Sequence, residues 1–215
     1  MLNIFSLYLV TDTASIGQKG LIHTVMSAVQ GGVTAVQLRE KNTSTKEFIE
    51  TAKNLKKALS SSSVPLIIND RVDVALAANA DGVHLGQTDM SYFDAKRIMG
   101  DRAILGLTVE NIEQVKMATD WGVTYFGLSS LFKTGTKSEA NAYWNKTNIG
   151  SIKKLSNKPL IGIGGINSSN IKKVISWGLD GVALASAICS CSNLSKVKKE
   201  TEKLRREIDK YNEGN

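Results

Sequence analysis

Two acidic residues stand where short apolar runs give way to polar clusters. Leu66-Ile67-Ile68 ends in Asn69-Asp70, and Gly82-Val83-His84-Leu85 continues through Gly86-Gln87-Thr88 to Asp89. Buried strands read this way when their C-terminal ends deliver polar groups. If the two strands are parallel neighbours, Asp70 and Asp89 lie side by side and offer hard oxygen ligands of the kind Mg²⁺ accepts. Basic residues close another apolar run, Arg39 and Lys41 after residues 33–38. Together these features suit a metal-assisted site for a phosphorylated substrate.

Other residues add to this set, and several carry a plainer reading as well. Gly164-Gly165 follows an apolar run, and backbone amides near a helix start bind phosphate. Thr134-Gly135-Thr136-Lys137 combines hydroxyls, a flexible backbone and a cation. Asp70 could instead cap a helix at 72–78, and Arg39-Glu40-Lys41 could be a surface ion-pair set. His84, inside an apolar strand, reads as a hydrogen-bonded structural residue rather than a ligand. What joins the functional candidates is their common position at strand ends.

Those positions follow from the order of elements. Strand-like segments are expected at 7–10, 33–38, 64–68, 80–85, 103–107, 123–128, 159–163 and 181–184. Helical segments are expected at 20–30, from Ser44 to about residue 60, and at 72–78, 91–99 and 110–121. Three more should lie between about 143 and 155, from Ser168 to 177, and at 194–211. Ser44 with Glu47 forms a capping box, and Gly31-Gly32 and Gly178 are helix-ending signals. Eight strand-then-helix units without a linker predict one domain over residues 1–215, with parallel strands and right-handed crossovers. A closed (β/α)₈ TIM barrel in the α/β class fits this count. An open doubly wound sheet is disfavoured, because the first turn, Thr11-Asp12-Thr13, lacks its glycine fingerprint. In a barrel the C-terminal strand ends share one mouth. That mouth receives Arg39, Lys41, Asn69, Asp70, Asp89, Thr108, then Thr134, Thr136 and Lys137 from the loop after strand six, and Gly164-Gly165 and Ala185-Ser186. Residues 129–143 form the longest irregular stretch and a lid candidate.

Composition narrows the partners. The 215 residues carry a net charge of +7, with 42% apolar and 22% charged residues, as in an ordinary globular protein. The positive balance suits anionic small molecules. Basic residues near the C-terminus alternate with acidic ones, and aromatics are scattered, so no nucleic-acid surface is expected. No apolar run is long enough to span a bilayer, and no signal peptide is visible. The chain is expected to begin near Met1 in the cytosol, with Cys189 and Cys191 as free thiols. Oligomeric state is not readable from the sequence.

Six motifs together resemble the thiamine-phosphate synthase family. They are Tyr8-Leu9-Val10-Thr11-Asp12, Val36-Gln37-Leu38-Arg39-Glu40-Lys41, Leu66-Ile67-Ile68-Asn69-Asp70-Arg71, Asp81 through Gln87, Thr134 through Lys137, and Ile161-Gly162-Ile163-Gly164-Gly165-Ile166. The resemblance implies a TIM-barrel transferase that joins 4-amino-2-methyl-5-hydroxymethylpyrimidine diphosphate to a plain or carboxylated thiazole phosphate. The products would be thiamine phosphate and pyrophosphate, with CO₂ from the carboxylated substrate. By the family pattern Gln37, Leu38, Arg39, Glu40, Lys41, Asn69, Thr108 and Lys137 would hold the pyrimidine diphosphate. Arg39, Lys41, Thr108 and Lys137 would carry the chemistry, and Asp70 and Asp89 would bind Mg²⁺. Thr134, Gly135, Thr136, Gly165, Ala185 and Ser186 would hold the thiazole phosphate. The chain departs from the pattern at Thr108 (usually serine), at Ser129-Ser130 (usually glycine-proline) and at Lys133 (usually proline). A thiazole tautomerase on the same barrel, or a non-catalytic phosphometabolite-binding barrel, is the alternative. The retained Asp70, Asp89, Arg39, Lys41 and Lys137 argue against both.

Overall fold

The computed structural model describes residues 4–132 and 144–213. Eight parallel strands close on themselves in chain order, β1 to β8, with β8 pairing back onto β1. They are β1 Leu7–Val10, β2 Ala35–Leu38, β3 Leu66–Asn69, β4 Gly82–Leu85, β5 Ile104–Val109, β6 Tyr125–Ser129, β7 Leu160–Ile163 and β8 Gly181–Leu184. The larger connecting helices are α2 Leu21–Gln30, α3 Thr45–Leu59, α5 Tyr92–Met99, α7 Lys146–Leu155 and α10 Leu194–Glu213. The shorter ones are α1 Thr13–Ile16, α4 Val72–Ala77, α6 Ile112–Ala118, α8 Ile171–Ile175 and α9 Ser186–Cys189, with a 3₁₀ turn at Gly17–Lys19 after α1. This is the (β/α)₈ barrel expected from the strand–helix alternation. No helix among the described residues is long and apolar enough to cross a membrane.

Period-two alternation divides every strand between two cores. Leu9, Val36, Leu38, Ile68, Val83, Leu85, Leu107, Phe126 and Val182 face outward into the layer beneath the helices. Tyr8, Ala35, Ile67, Tyr125, Ile161 and Ala183 face inward and fill the barrel with Phe5. The same inward phase carries Gln37, Asn69, His84 and Thr108 to the upper layer. A polar residue in phase with the lumen therefore reaches the mouth without disturbing the outer core.

All strands except β1 and β8 start later than the apolar runs suggest, and before β2, β4 and β6 short polar side chains explain it. The residue before each even-numbered strand accepts a backbone N–H from the start of the odd strand before it. Thr34 Oγ1 takes Leu7 N at 3.0 Å, and Asp81 Oδ2 takes Leu66 N at 2.7 Å. Thr124 Oγ1 takes Leu105 N at 3.0 Å, and Asp180 Oδ2 takes Leu160 N at 2.9 Å. These side chains occupy the base of the barrel, where strand pairing would otherwise begin. Asp81 and Asp180 also pair with Lys56 and Lys153 on the covering helices.

Helix ends agree with the sequence in some places and correct it in others. Ser44 and Glu47 form both halves of the capping box on α3. Ser168 does not cap α8: position 170 does, and Asn170 Oδ1 is instead spent on the backbone N–H of Asn167 at 2.9 Å. Asp70 does not cap α4, whose cap position is Arg71 and which has no side-chain cap. Ala185-Ser186, expected as the polar end of the eighth strand, is the start of α9, a helix too short to show periodicity. The helix expected at 110–121 is Ile112–Ala118, and its later start follows from Asn111, which supplies the cap by accepting Gln114 N at 2.9 Å.

Candidate active site

The C-terminal mouth holds a cavity of about 550 Å³. On one side it is lined by Gln37, Arg39, Lys41, Asn69, His84 and Thr108, and on the other by Gly164, Gly165, Ala185 and Ser186. Contributions from β2, β3, β4, β5, β7 and β8 thus meet in one place. Thr108 is inside β5, not beyond it, because β5 runs on to Val109. Thr134, Gly135, Thr136 and Lys137, and the lid candidate with Lys133, lie outside the described residues.

Sequence reasoning did not single out Thr11, Asp12, Ser129 or Ser130 as site residues, yet all four line the cavity. The Thr11 hydroxyl, fully buried, accepts the Arg39 backbone N–H at 2.9 Å and so ties the end of β1 to the basic turn after β2. A signal for Thr11 and Asp12 existed: they end β1 as Asn69-Asp70 ends β3. The Ser129–Ser130 peptide bond is cis. Of the residues carried over from the family, Leu38 is fully buried in the outer core, so its side chain faces away from the cavity. Glu40 accepts a hydrogen bond from the Thr13 hydroxyl beside the mouth.

Asp70 and Asp89 stand together next to Asn69. The loop after β4 accounts for this: Asp89 Oδ2 accepts Gly86 N at 2.7 Å, and Asp70 N donates to His84 O at 2.9 Å. Asp70 has a φ of 62°, in the left-handed region that aspartate and asparagine tolerate better than most residues. Burial raises its carboxyl to about 6, and a hydrogen bond and like charge from Asp89 add to the rise; Lys41 and Arg39 oppose it. Two adjacent carboxylates resist joint ionisation unless a cation sits between them. Among the described residues no cluster of three or more His, Cys, Asp or Glu side chains could hold a metal by itself. Mg²⁺ does not need one, since it is commonly bound through one or two carboxylates with substrate phosphate and water. The pair therefore fits a Mg²⁺ ion shared with a phosphorylated ligand.

Asp70 and Asp89 are not among the residues that line the cavity; their neighbours Arg39, Lys41 and Asn69 are. Across the cavity from those neighbours, the glycine turn after β7 has positive φ at both residues, 99° at Gly164 and 67° at Gly165. A Cβ on Gly164 would fall 2.1 Å from Ser130 Oγ. The Gly165 carbonyl accepts from Asn170 Nδ2 at 2.9 Å, which fixes the turn. Consecutive backbone amides in such a turn form an anion-binding concavity.

Beneath the cavity lies His84. Its Nδ1 is 2.8 Å from the Tyr125 hydroxyl and its Nε2 is 2.7 Å from Thr108 Oγ1. Burial pushes the imidazole down to about 4, against the pull of Asp89, so it is neutral at neutral pH. Its hydrogen-bonded state agrees with the structural role expected from sequence, and it also forms part of the cavity wall. The close approach is made possible by Gly106 on β5: a Cβ there would sit 2.2 Å from Tyr125 Cζ and 2.5 Å from His84 Nδ1. Gly106→Ala is accordingly expected to cost about 1–3 kcal/mol of stability through overpacking. Denaturant unfolding would check this, a lower midpoint at unchanged slope being the expected result.

A closed parallel barrel with its polar side chains gathered at the C-terminal mouth is an enzyme scaffold of the (β/α)₈ class. A sequence model described as thiamine monophosphate synthase matches residues 7–188. A thiamine-phosphate synthase of Vibrio parahaemolyticus is 46% identical over 91% of this chain and 96% of its own length. One of Clostridium acetobutylicum is 43% identical over 88% of this chain and 90% of its own. The solved thiamine phosphate pyrophosphorylase of Pyrococcus furiosus superposes with a TM-score of 0.86 at 35% identity, covering 97% of each chain. The chain belongs to the thiamine monophosphate synthase family, and as such it is a transferase.

Proposed function

We propose that this protein condenses 4-amino-2-methyl-5-hydroxymethylpyrimidine diphosphate with thiazole phosphate, plain or carboxylated, to give thiamine phosphate and pyrophosphate. The carboxylated substrate would also release CO₂. The observation that carries the reading is one cavity with basic side chains on one side and a glycine turn with a helix start on the other, each suited to a phosphate. Arg39 and Lys41 lie beside the Asp70–Asp89 pair, and the Gly164–Gly165 turn and Ala185–Ser186 lie across from them. Two phosphorylated substrates can then meet with their reacting ends between the two sides. A cytosolic setting accompanies this reading, in keeping with the two free cysteines.

The reaction proposed is a dissociative substitution. The bond from the pyrimidine methylene carbon to oxygen breaks, the pair of electrons leaves with pyrophosphate, and the thiazole nitrogen attacks the resulting cation. No strong base or covalent nucleophile is needed; charge stabilisation and a held acceptor are. Gln37, Asn69 and Thr108, with the backbone from Leu38 to Lys41, hold the pyrimidine diphosphate. Arg39 and Lys41 neutralise charge as pyrophosphate departs, and Lys137 joins them by the family pattern. Bound Mg²⁺, held by Asp70 and Asp89, would supply further positive charge to the leaving group. The amides at Gly165, Ala185 and Ser186, with Thr134, Gly135 and Thr136 from the family pattern, hold the thiazole phosphate.

The direct experiment supplies both substrates with Mg²⁺ and follows pyrophosphate and thiamine phosphate together. Equal formation of the two, abolished by a chelator and restored by added Mg²⁺, is the expected result. Binding of thiazole phosphate without release of pyrophosphate would favour a tautomerase or a non-catalytic binder instead.

A further inference from the structure

We infer that Gln37, Tyr8 and Tyr125 form a directed hydrogen-bond chain that holds His84 in its Nε2–H form and turns the Thr108 hydroxyl proton into the cavity. Thr108 then acts as a donor to an acceptor atom of the bound pyrimidine, and Tyr8 and Tyr125 are positioning residues for it. The choice of pyrimidine as ligand rests on the proposed function; the direction of the chain does not.

The direction follows from the orientation of the Gln37 amide, which turns Nε2 toward Tyr8, and from counting protons. Gln37 Nε2 donates to the Tyr8 hydroxyl at 3.1 Å. The Tyr8 and Tyr125 hydroxyls are 3.0 Å apart, and Tyr125 is 2.8 Å from His84 Nδ1. Both tyrosines are fully buried, and Gln37 and His84 are 3% and 4% exposed. Each hydroxyl has a single proton to give. If Tyr8 accepts from Gln37, its own proton goes to Tyr125. Tyr125 then gives its proton to His84 Nδ1, which must carry a lone pair. A neutral imidazole has one N–H, so the proton is on Nε2 and points at Thr108 Oγ1, 2.7 Å away. With the Gln37 amide so oriented, reversing the chain would make Tyr8 accept twice, from Gln37 and from Tyr125. Its proton would then be buried without an acceptor, which is costly.

The consequence appears at the end of the chain. Thr108 Oγ1 accepts from His84, so its own proton is available to another group. Among the described residues the Thr108 side chain makes no other hydrogen bond, and Thr108 lines the cavity. A methyl-bearing side chain on β5 gains a defined polarity in this way. It favours an acceptor such as an unprotonated ring nitrogen over a donor such as an amino group.

Histidine tautomers can be read directly. The chain has two histidines, and His23 is exposed on α2, so ¹⁵N-histidine labelling gives one reference signal and one signal from the site. Two-bond ¹H–¹⁵N correlation at neutral pH is expected to show His84 protonated on Nε2 only. A wild-type spectrum with the proton on Nδ1 overturns the inference without any variant. Tyr125→Phe removes the donor to Nδ1 and is expected to give a mixture of tautomers. It should also raise the KM for the pyrimidine diphosphate about three- to tenfold, the worth of one neutral hydrogen bond, with the thiazole phosphate KM unmoved. Tyr8→Phe, which interrupts the chain one link earlier, serves if Tyr125→Phe does not fold. A folded variant with the wild-type histidine pattern overturns the chain. Thr108→Val should raise the same KM, and Thr108→Ser should recover it; equal KM values in the two overturn the donor role. If the tautomer is as expected but no thiamine phosphate forms, the functional reading falls and the direction of the chain stands.

Discussion

Asp70→Asn is expected to lower kcat about a hundredfold or more, in the range seen when a preorganised charge is removed from a transition state, while the metal-free protein becomes more stable. Asparagine tolerates the φ of 62° at this position, so the substitution tests charge without adding backbone strain, which alanine would do. The stability gain follows from like charge. Burial and Asp89 raise the Asp70 carboxyl from its ordinary 3.8 to about 6. A carboxyl raised on folding contributes stability below its unfolded value, and that contribution is lost as pH rises through about 4 to 6. Without metal, Asp70→Asn should therefore melt above wild type at pH 7.5, with the gap shrinking at pH 4.5. Mg²⁺ should raise the wild-type Tm at pH 7.5 and leave the variant unmoved. Calorimetric scans with and without Mg²⁺, beside the activity assay, check each part. Equal Tm values for the two proteins at pH 7.5, with full activity in the variant, would leave Asp70 without a metal role.

Gly165→Val should raise the KM for thiazole phosphate about ten- to a hundredfold, the worth of a charge-assisted hydrogen bond. The pyrimidine diphosphate KM should change little. Two effects act at this residue. Its φ of 67° is hard for a β-branched side chain, and a side chain there would intrude on the phosphate concavity. Gly165→Ala separates them, since it brings most of the backbone strain with less bulk. A KM for thiazole phosphate that rises in step with side-chain size assigns the effect to the lost phosphate site. Initial rates over a grid of both substrates give the two KM values independently. An unchanged thiazole KM in Gly165→Val would put the phosphate elsewhere in the cavity.

The division of labour between sequence and tertiary structure is visible residue by residue. The alternation of short apolar runs with helical segments determined the parallel barrel, because each run was bounded by its own turn and cap signals. Ser44 with Glu47 is such a local signal, and its capping box is present in full. Asn69-Asp70 and Gly164-Gly165 were legible as candidates because they end apolar runs, and a barrel brings all such ends to one mouth. Inward phase could also have been read for Gln37, His84 and Thr108, which share it along β2, β4 and β5. By contrast, the later start of β2 and β4 depended on Thr34 and Asp81 meeting backbone N–H groups on other strands. No local pattern announces that. The left-handed backbone at Asp70, its raised carboxyl beside Asp89, and the chain from Gln37 to Thr108 were decided by the fold alone. Each depends on groups that are distant in the chain and become neighbours only when the barrel closes. Side-chain type can be read in one dimension, but desolvation, like-charge contact and the direction of a hydrogen bond are set by distances between elements.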